Sequence, residues 1–509
     1  MLHYKKILFF LLFFMILHFS PLTRIIFLFF LSFFFLITVS ILIGYAFGYR
    51  YNFERGIFIH SGSITIKSNP PRVDVSINGE KIDKKKINYI NGANQIDGLR
   101  PGTYDVEIST PGFKLWKKPI VVESGKSSEF WNILLIQETY ETTPFPLSSI
   151  TGIFPSPDGK RLALSHKKEN EMLVTILTIS NGELEQVFSS VTHNRPENWK
   201  NNIEWSPDSK KLLIPTKKTE MSQEMSQETF PDEVFLIELE TFATKILSEE
   251  VATPFRDVRW GFEENTLFFL KDNELILLTQ NKNKTFTQDI FTKDILAYDI
   301  SSSTIFALKT NGILYKIEKN NKKEQQITTS QFENFSSLHP LSLIVYDERR
   351  FVIRSLQGIL WIWNYGEKDT YIHTLDENIQ GAQFSNDGKK LLYWNKNAIW
   401  TYFLREWEVQ PKREENSFLS LANFSSPISN VSWTKQYEHV LYTFQDRIHI
   451  TELDHRNQRI TNILSPPVST NPLLIQNFSN DLVFFTSPEN ETNFLSSFVF
   501  AKPTGLFPF

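Results

Sequence analysis

From residue 150 onward one short unit keeps returning: an aromatic residue, a polar turn, then an apolar strand. It is cleanest as Phe154-Pro-Ser-Pro-Asp-Gly-Lys-Arg-Leu-Ala-Leu, Trp205-Ser-Pro-Asp-Ser-Lys-Lys-Leu-Leu-Ile and Phe384-Ser-Asn-Asp-Gly-Lys-Lys-Leu-Leu-Tyr. Weaker copies begin at Trp260, Tyr298, Tyr346, Trp433 and Phe478. A second strand follows the first, as at Glu233–Glu238, Glu274–Thr279, Gly312–Ile317, Gly358–Trp363, Ala398–Leu404 and Arg447–Leu453. A shorter third appears at Thr244–Leu247 and Gln458–Leu464. The period is roughly 38 to 55 residues, and a unit of that size cannot bury both faces of its own small sheet. It must stack on copies of itself. Three or four strands per unit at this period predict a β-propeller over residues 150–509, and eight starts predict seven or eight blades.

The Ser-Pro-Asp-Gly-Lys form of the turn resembles the WD40-like (TolB-type) propeller repeat. The likeness is good at 154, 205 and 384, degenerate at the other five, and covers most of 150–500. It implies a binding fold, with a protein partner in the cell envelope. The Asp-Gly pair also has a local explanation, a tight turn between neighbouring strands, and that structural role is expected of Asp158 and Asp208. A phosphate-loop reading of Gly152 to Lys160 fails. The spacing is wrong, no Ser or Thr follows the Lys, and prolines fill the loop.

The N-terminal region obeys different rules. Residues Ile25 to Phe47 form an uncharged apolar run of 23 residues. As a helix it would be roughly 35 Å long, enough to cross a hydrocarbon core of about 30 Å. Tyr45, Tyr49 and Tyr51 sit where aromatic rings favour the interface. Lys5, Lys6 and Arg24 precede the run, so a single span predicts a cytoplasmic N-terminus and an extracytoplasmic body. A shorter apolar run, Ile7 to Leu22, allows an interfacial helix, a short first span or an extension from an upstream start. A hairpin of both runs would keep the body inside, in agreement with Arg50 and Arg55. The run is long for a signal peptide, so retention as a single-pass anchor in the cell membrane is expected.

The remaining segments divide as 1–24, a short apolar N-terminal segment; 25–49, the membrane helix; 50–61, a juxtamembrane linker; 62–136, a small β-domain; and 137–149, a linker carrying Pro144 and Pro146. In the small domain the strands Ser63–Lys67, Asp74–Ile77, Thr103–Ser109 and Lys118–Glu123 are bounded by Gly, Pro or Asn. Asn78-Gly79 is a hairpin turn signal, because a type I′ turn needs positive φ at both central residues. This predicts a small antiparallel sheet. Ser68-Asn-Pro-Pro-Arg-Val-Asp-Val-Ser-Ile-Asn-Gly and Leu99-Arg-Pro-Gly-Thr-Tyr-Asp-Val-Glu-Ile-Ser-Thr-Pro-Gly-Phe resemble the two halves of a PEGA domain. Arg72 and Val73 stand where that family usually has Gly and Ala. The resemblance, together with a membrane helix ahead of it, implies a bacterial surface protein with a PEGA-like extracytoplasmic spacer and no catalytic residues in that domain.

Composition removes several chemistries. There is no cysteine, hence no disulfide, thiolate nucleophile, Cys-ligated zinc, iron–sulfur cluster or lipidated Cys. Lys and Arg number 53 against 57 Asp and Glu, so no basic face is expected to displace counterions and no nucleic-acid partner is expected. The ten histidines follow no metal-ligand spacing; His439, His449 and His455 read as exposed strand or loop residues. No Gly-x-Ser-x-Gly elbow or His-Glu-x-x-His helix occurs. No catalytic residue, metal or cofactor is predicted. The candidate binding residues are Trp361, Trp363 and Trp400, which would stack on a sugar or anchor a peptide; alternatively they pack between blades. Two functions follow. The first is a membrane-anchored, non-enzymatic scaffold that binds an envelope protein or glycan. The second is an extracytoplasmic hydrolase or lyase acting on cell-wall or polysaccharide material, signalled by carboxylates or histidines converging inside the propeller.

Overall fold

The computed structural model describes residues 20–52, 56–83, 87–194, 202–218, 233–251, 255–301, 304–331, 341–366, 370–489 and 492–500. They form two compact units that part after Leu135. The apolar run before Ser20 lies outside the described residues.

In the first unit, helix α1 spans Pro21–Ala46. Ser20 caps it by accepting from the Thr23 amide, and Pro21 takes the first turn, where its missing N–H costs nothing. The helix is apolar on every face and its large side chains are open, with Phe29 76% and Leu36 63% exposed. It is long and apolar enough to cross a membrane. Tyr49–Asn52 and Ile57–His60 then pair as a hairpin in the stretch read as linker.

Two four-stranded sheets follow. One runs Ser127–Leu134, Gly62–Asn69, Ala93–Leu99, Asn88–Ile90; the other Glu80–Lys81, Asp74–Ile77, Gly102–Ser109, Trp116–Val122. Ile64, Ile66, Val75, Val106, Ile108 and Ile120 form the core, and Trp116 of one sheet meets Phe130 of the other edge-to-face at 5.9 Å. Asn78 and Gly79 both take positive φ, as the hairpin requires. The sheets are not wholly antiparallel, however: Ser127–Leu134 lies parallel to Gly62–Asn69. The last strand reaches the first only after the whole second sheet has been laid down, a separation that no local alternation records.

The second unit is a ring of sheets. Among the described residues there are eight, seven of four strands and one of five. Six of them are simple antiparallel successions in chain order, such as Ile150–Pro155, Arg161–Lys168, Glu171–Thr178, Glu183–Ser190. Each sheet buries its faces against its neighbours: Val174 and Ile176 of the first sheet pack on Trp205 and Ile214 of the second. The series returns on itself, with Leu162 and Leu177 of the first sheet against Phe484 and Leu495 of the last. Thr142–Ser148, inside the stretch read as linker, is the outer strand of that last sheet, paired with Thr492–Val499. A closed succession of radially packed four-stranded sheets is a β-propeller.

The repeated residues are what tie the sheets together. In the turns, Ser156, Ser206 and Ser385 each donate to the Asp two residues on and accept from the amide five residues on. The residue after the Asp has positive φ in all three: Gly159, Ser209 and Gly388. At Gly388 a Cβ would also strike the Tyr346 ring of the preceding sheet. The repeat aromatics donate backwards, Trp205 to the Phe154 carbonyl at 3.0 Å and Trp433 to that of Gln383 at 3.1 Å. The basic residues reach forwards, Arg350 to the Gly388 carbonyl and Lys390 to that of Tyr437. Asn477 closes the circuit on Gly159.

Candidate functional site: a charged cavity inside the ring

First strands of neighbouring sheets touch one another, so they bound the middle of the ring. Against four consecutive ones lies a cavity of about 300 Å³. Its wall takes Asn202, Ile203 and Glu204 from the second sheet and Asp257, Val258 and Arg259 from the third. Ala297 and Tyr298 come from the fourth sheet, and Leu341, Ser342 and Leu343 from the fifth. Leu213, Pro215 and Val234 complete an apolar side.

Asp299 organises the polar side. Its carboxylate accepts from the Ile300 amide at 2.9 Å, the Val345 amide at 2.8 Å and Arg259 Nη1 at 2.9 Å. Three donors, two of them backbone amides, hold it in place, so it fixes the guanidinium. Arg259 then stands with Nε 3.8 Å from Glu204 Oε1, an ion pair beyond hydrogen-bond reach. Burial pushes the Glu204 carboxyl up to about 6, with Arg259 holding it back. Burial opposes the Arg259 charge as well, but the Glu204 and Asp299 carboxylates outweigh it and raise its pKa. Tyr298 is held neutral by burial, its hydroxyl donating to the carbonyls of Asp257 and Phe268. Glu204 and Arg259 keep 33% and 40% of their side-chain surface, and both stand on the cavity wall. This is a charged site with a rigid back and an open front.

The candidate tryptophans stand elsewhere. Trp361 and Trp363 are 2% and 4% exposed, in the core shared by the fourth and fifth sheets. Trp363 stacks on Phe351 at 5.8 Å. Trp400 is half-buried and stacks on Tyr393 at 5.4 Å. The three are not brought together, and two offer no open ring face to a ligand. His439 and His449 are buried, not exposed, because they sit inside paired strands; His449 stacks on Tyr442. Among the described residues no group of His, Asp and Glu is arranged to hold a metal ion.

Sequence reasoning missed Glu204, Arg259 and Asp299. A signal existed. Glu204 and Arg259 each stand immediately before a repeat aromatic, and Asp299 immediately after one. Charge beside that aromatic, in three consecutive repeats, marks the strand edge that faces inward.

No family model matches the chain, and no curated protein does. Among solved structures it is similar to the β-propeller domain of Cps50 (Swd1) from Myceliophteria thermophila, at 11% identity and a TM-score of 0.37. That match covers 70% of this chain and 98% of that one. It is also similar to KlHsv2 with loop 6CD replaced by a Gly-Ser linker, at 9% identity and a TM-score of 0.38, covering 63% of this chain and 98% of the other. At these scores the propeller rests on the sheet order and packing given above.

Proposed function

We propose that this chain is a membrane-anchored binding protein of the cell envelope. In this reading α1 is a retained single-pass anchor, the small β-domain is a PEGA-like extracytoplasmic spacer, and the eight sheets are the blades of a TolB-like propeller. The propeller holds a protein or glycan partner without catalysis. The observation that carries the reading is the cavity against the inner strands. Its guanidinium is fixed from behind by Asp299, itself held by two backbone amides, a preorganised arrangement suited to recognition. The buried Trp361 and Trp363 weigh against a glycan stacked on these rings and favour a protein partner.

The hydrolase or lyase reading has one observation of its own: burial pushes the Glu204 carboxyl up to about 6 in a cavity that Asp257 also lines. A photo-crosslinking residue at Val258, with a control at exposed Glu185, tests the binding reading in intact membranes. A discrete adduct from position 258 alone supports it; none from either position overturns it. Polysaccharide turnover that Glu204→Gln abolishes would establish the second reading instead. Location is tested by cysteine at Ser124 and Glu185 in this cysteine-free chain. A membrane-impermeant maleimide should label both in intact cells, and labelling only after lysis would place the body inside.

A further inference from the structure

Among the described residues the cavity wall carries an unmatched charge. Glu204 and Asp257 line it, and Asp299 stands behind. Against these three carboxylates stand two guanidiniums. Arg259 sits between Glu204 and Asp299, and Arg256 Nη1 lies 3.9 Å from Asp257. Among the described residues one carboxylate is left over, and Glu204 is the one held most loosely: its ion pair with Arg259 is 3.8 Å long, and the Trp260 backbone N–H is its other donor. On the same wall Ser342 is 6% exposed, and its Oγ has no hydrogen-bond partner among the described residues. A buried hydroxyl without a partner is costly unless something else supplies one. The lining also has aliphatic side chains, Ile203, Leu213, Val234 and Val258.

We infer that this cavity takes a cationic nitrogen group, an ammonium or a guanidinium, carried on an aliphatic stem. The head would donate to Glu204 and restore the charge balance. The stem would lie on the aliphatic side chains, as Lys and Arg stems do on apolar surface. An anionic ligand is disfavoured, because Arg259 is already flanked by two carboxylates and a third would meet uncompensated charge. A basic side chain of a partner protein and a free aliphatic amine share this chemistry. The inference rests on the binding reading above and gives it a ligand class.

The charges around Glu204 are those of Arg259, Asp299, Asp257 and Arg256, with neutral Tyr298 beside them. With Glu204 titrating at about 6, a bound cation favours its ionised form. Binding therefore releases a proton, and affinity should rise about tenfold from pH 5 to pH 7.5.

The test uses the full-length chain in detergent, with thermal unfolding as readout and pentylamine, pentylguanidine, pentanol and pentanoate as probes. A lysine-containing peptide and its norleucine counterpart distinguish a partner side chain from a free amine. The two cationic probes, or the lysine peptide, should raise the midpoint, more at pH 7.5 than at pH 5. Glu204→Gln should abolish the response. Val258→Met, which fills the cavity and leaves every charge in place, should abolish it too. A response to pentanoate or pentanol equal to that of the cations overturns the inference, and so does a cation response that survives in both variants. If the position-258 adduct forms while every cationic probe is silent, the cation chemistry is wrong and the binding reading stands. If both fail, both fall.

Discussion

Two charged clusters in the ring obey opposite rules. Lys390, between the sixth and seventh sheets, keeps 1% of its side-chain surface. It donates to the Glu438 carboxylate and to the Tyr437 carbonyl at 2.8 Å, and its ammonium lies 4.3 Å from the centre of the Trp407 ring. Its bonding is used up inside the protein. Arg259 is also embedded in the ring, yet it keeps 40% of its side-chain surface and faces a carboxylate it does not quite touch. A buried charge whose partners are all present joins two sheets. One whose partners are incomplete, beside a cavity, waits for something from outside. The two differ in exposure and in how complete their hydrogen-bond sets are.

The sharpest way to break this distinction is Lys390→Met. It leaves Glu438 buried and unpaired and should cost about 3–5 kcal/mol of stability, read by denaturant unfolding. Adding Glu438→Leu should restore most of that, because two apolar side chains leave no uncompensated charge. A double variant as unstable as the single one would show that packing, not charge, is at stake. Trp433→Phe removes the inter-sheet donor to Gln383 while keeping most of the apolar volume. The orphaned carbonyl should cost about 1–3 kcal/mol. Ser385→Ala takes from one turn both the donor to Asp387 and the acceptor of the Lys390 amide, and about 1 kcal/mol is expected.

A pH-dependent effect lies at the cavity. An ordinary Glu titrates near about 4.3, whereas Glu204 in the folded chain does so at about 6. Its ionisation is therefore harder folded than unfolded. That penalty is absent below the ordinary value and complete above the raised one. Glu204→Gln removes it, so the variant's thermal midpoint should gain on the parent's as pH rises from 4.5 to 7.5. A constant difference across that window would mean Glu204 is an ordinary solvated carboxylate, and the contrast with Lys390 would collapse.

Much of the fold was legible because it is local. The Ser-Pro-Asp-Gly turns close over five residues, and the strands after them alternate or run apolar according to their own two faces. All eight aromatic starts lie in or next to a strand of a separate sheet, and Trp205, Trp260, Tyr298 and Trp433 each reach one sheet back. The apolar run Ile25–Phe47 announces α1 without any tertiary help. Other features needed the closed ring. Thr142–Ser148 reads as a proline-bearing linker because its partner strand arrives at the far end of the unit; nearby, Ile150 and Asn493 bond across 343 residues. Trp361 and Trp363 look like a binding pair on one strand, and only the neighbouring sheet shows them buried. Glu204, Arg259 and Asp299 sit in three separate repeats and become one site when the first strands meet. Short-range hydrogen bonding and strand alternation write themselves into neighbouring residues. Convergence of strand edges is set by how whole sheets pack, and no spacing along the chain encodes it.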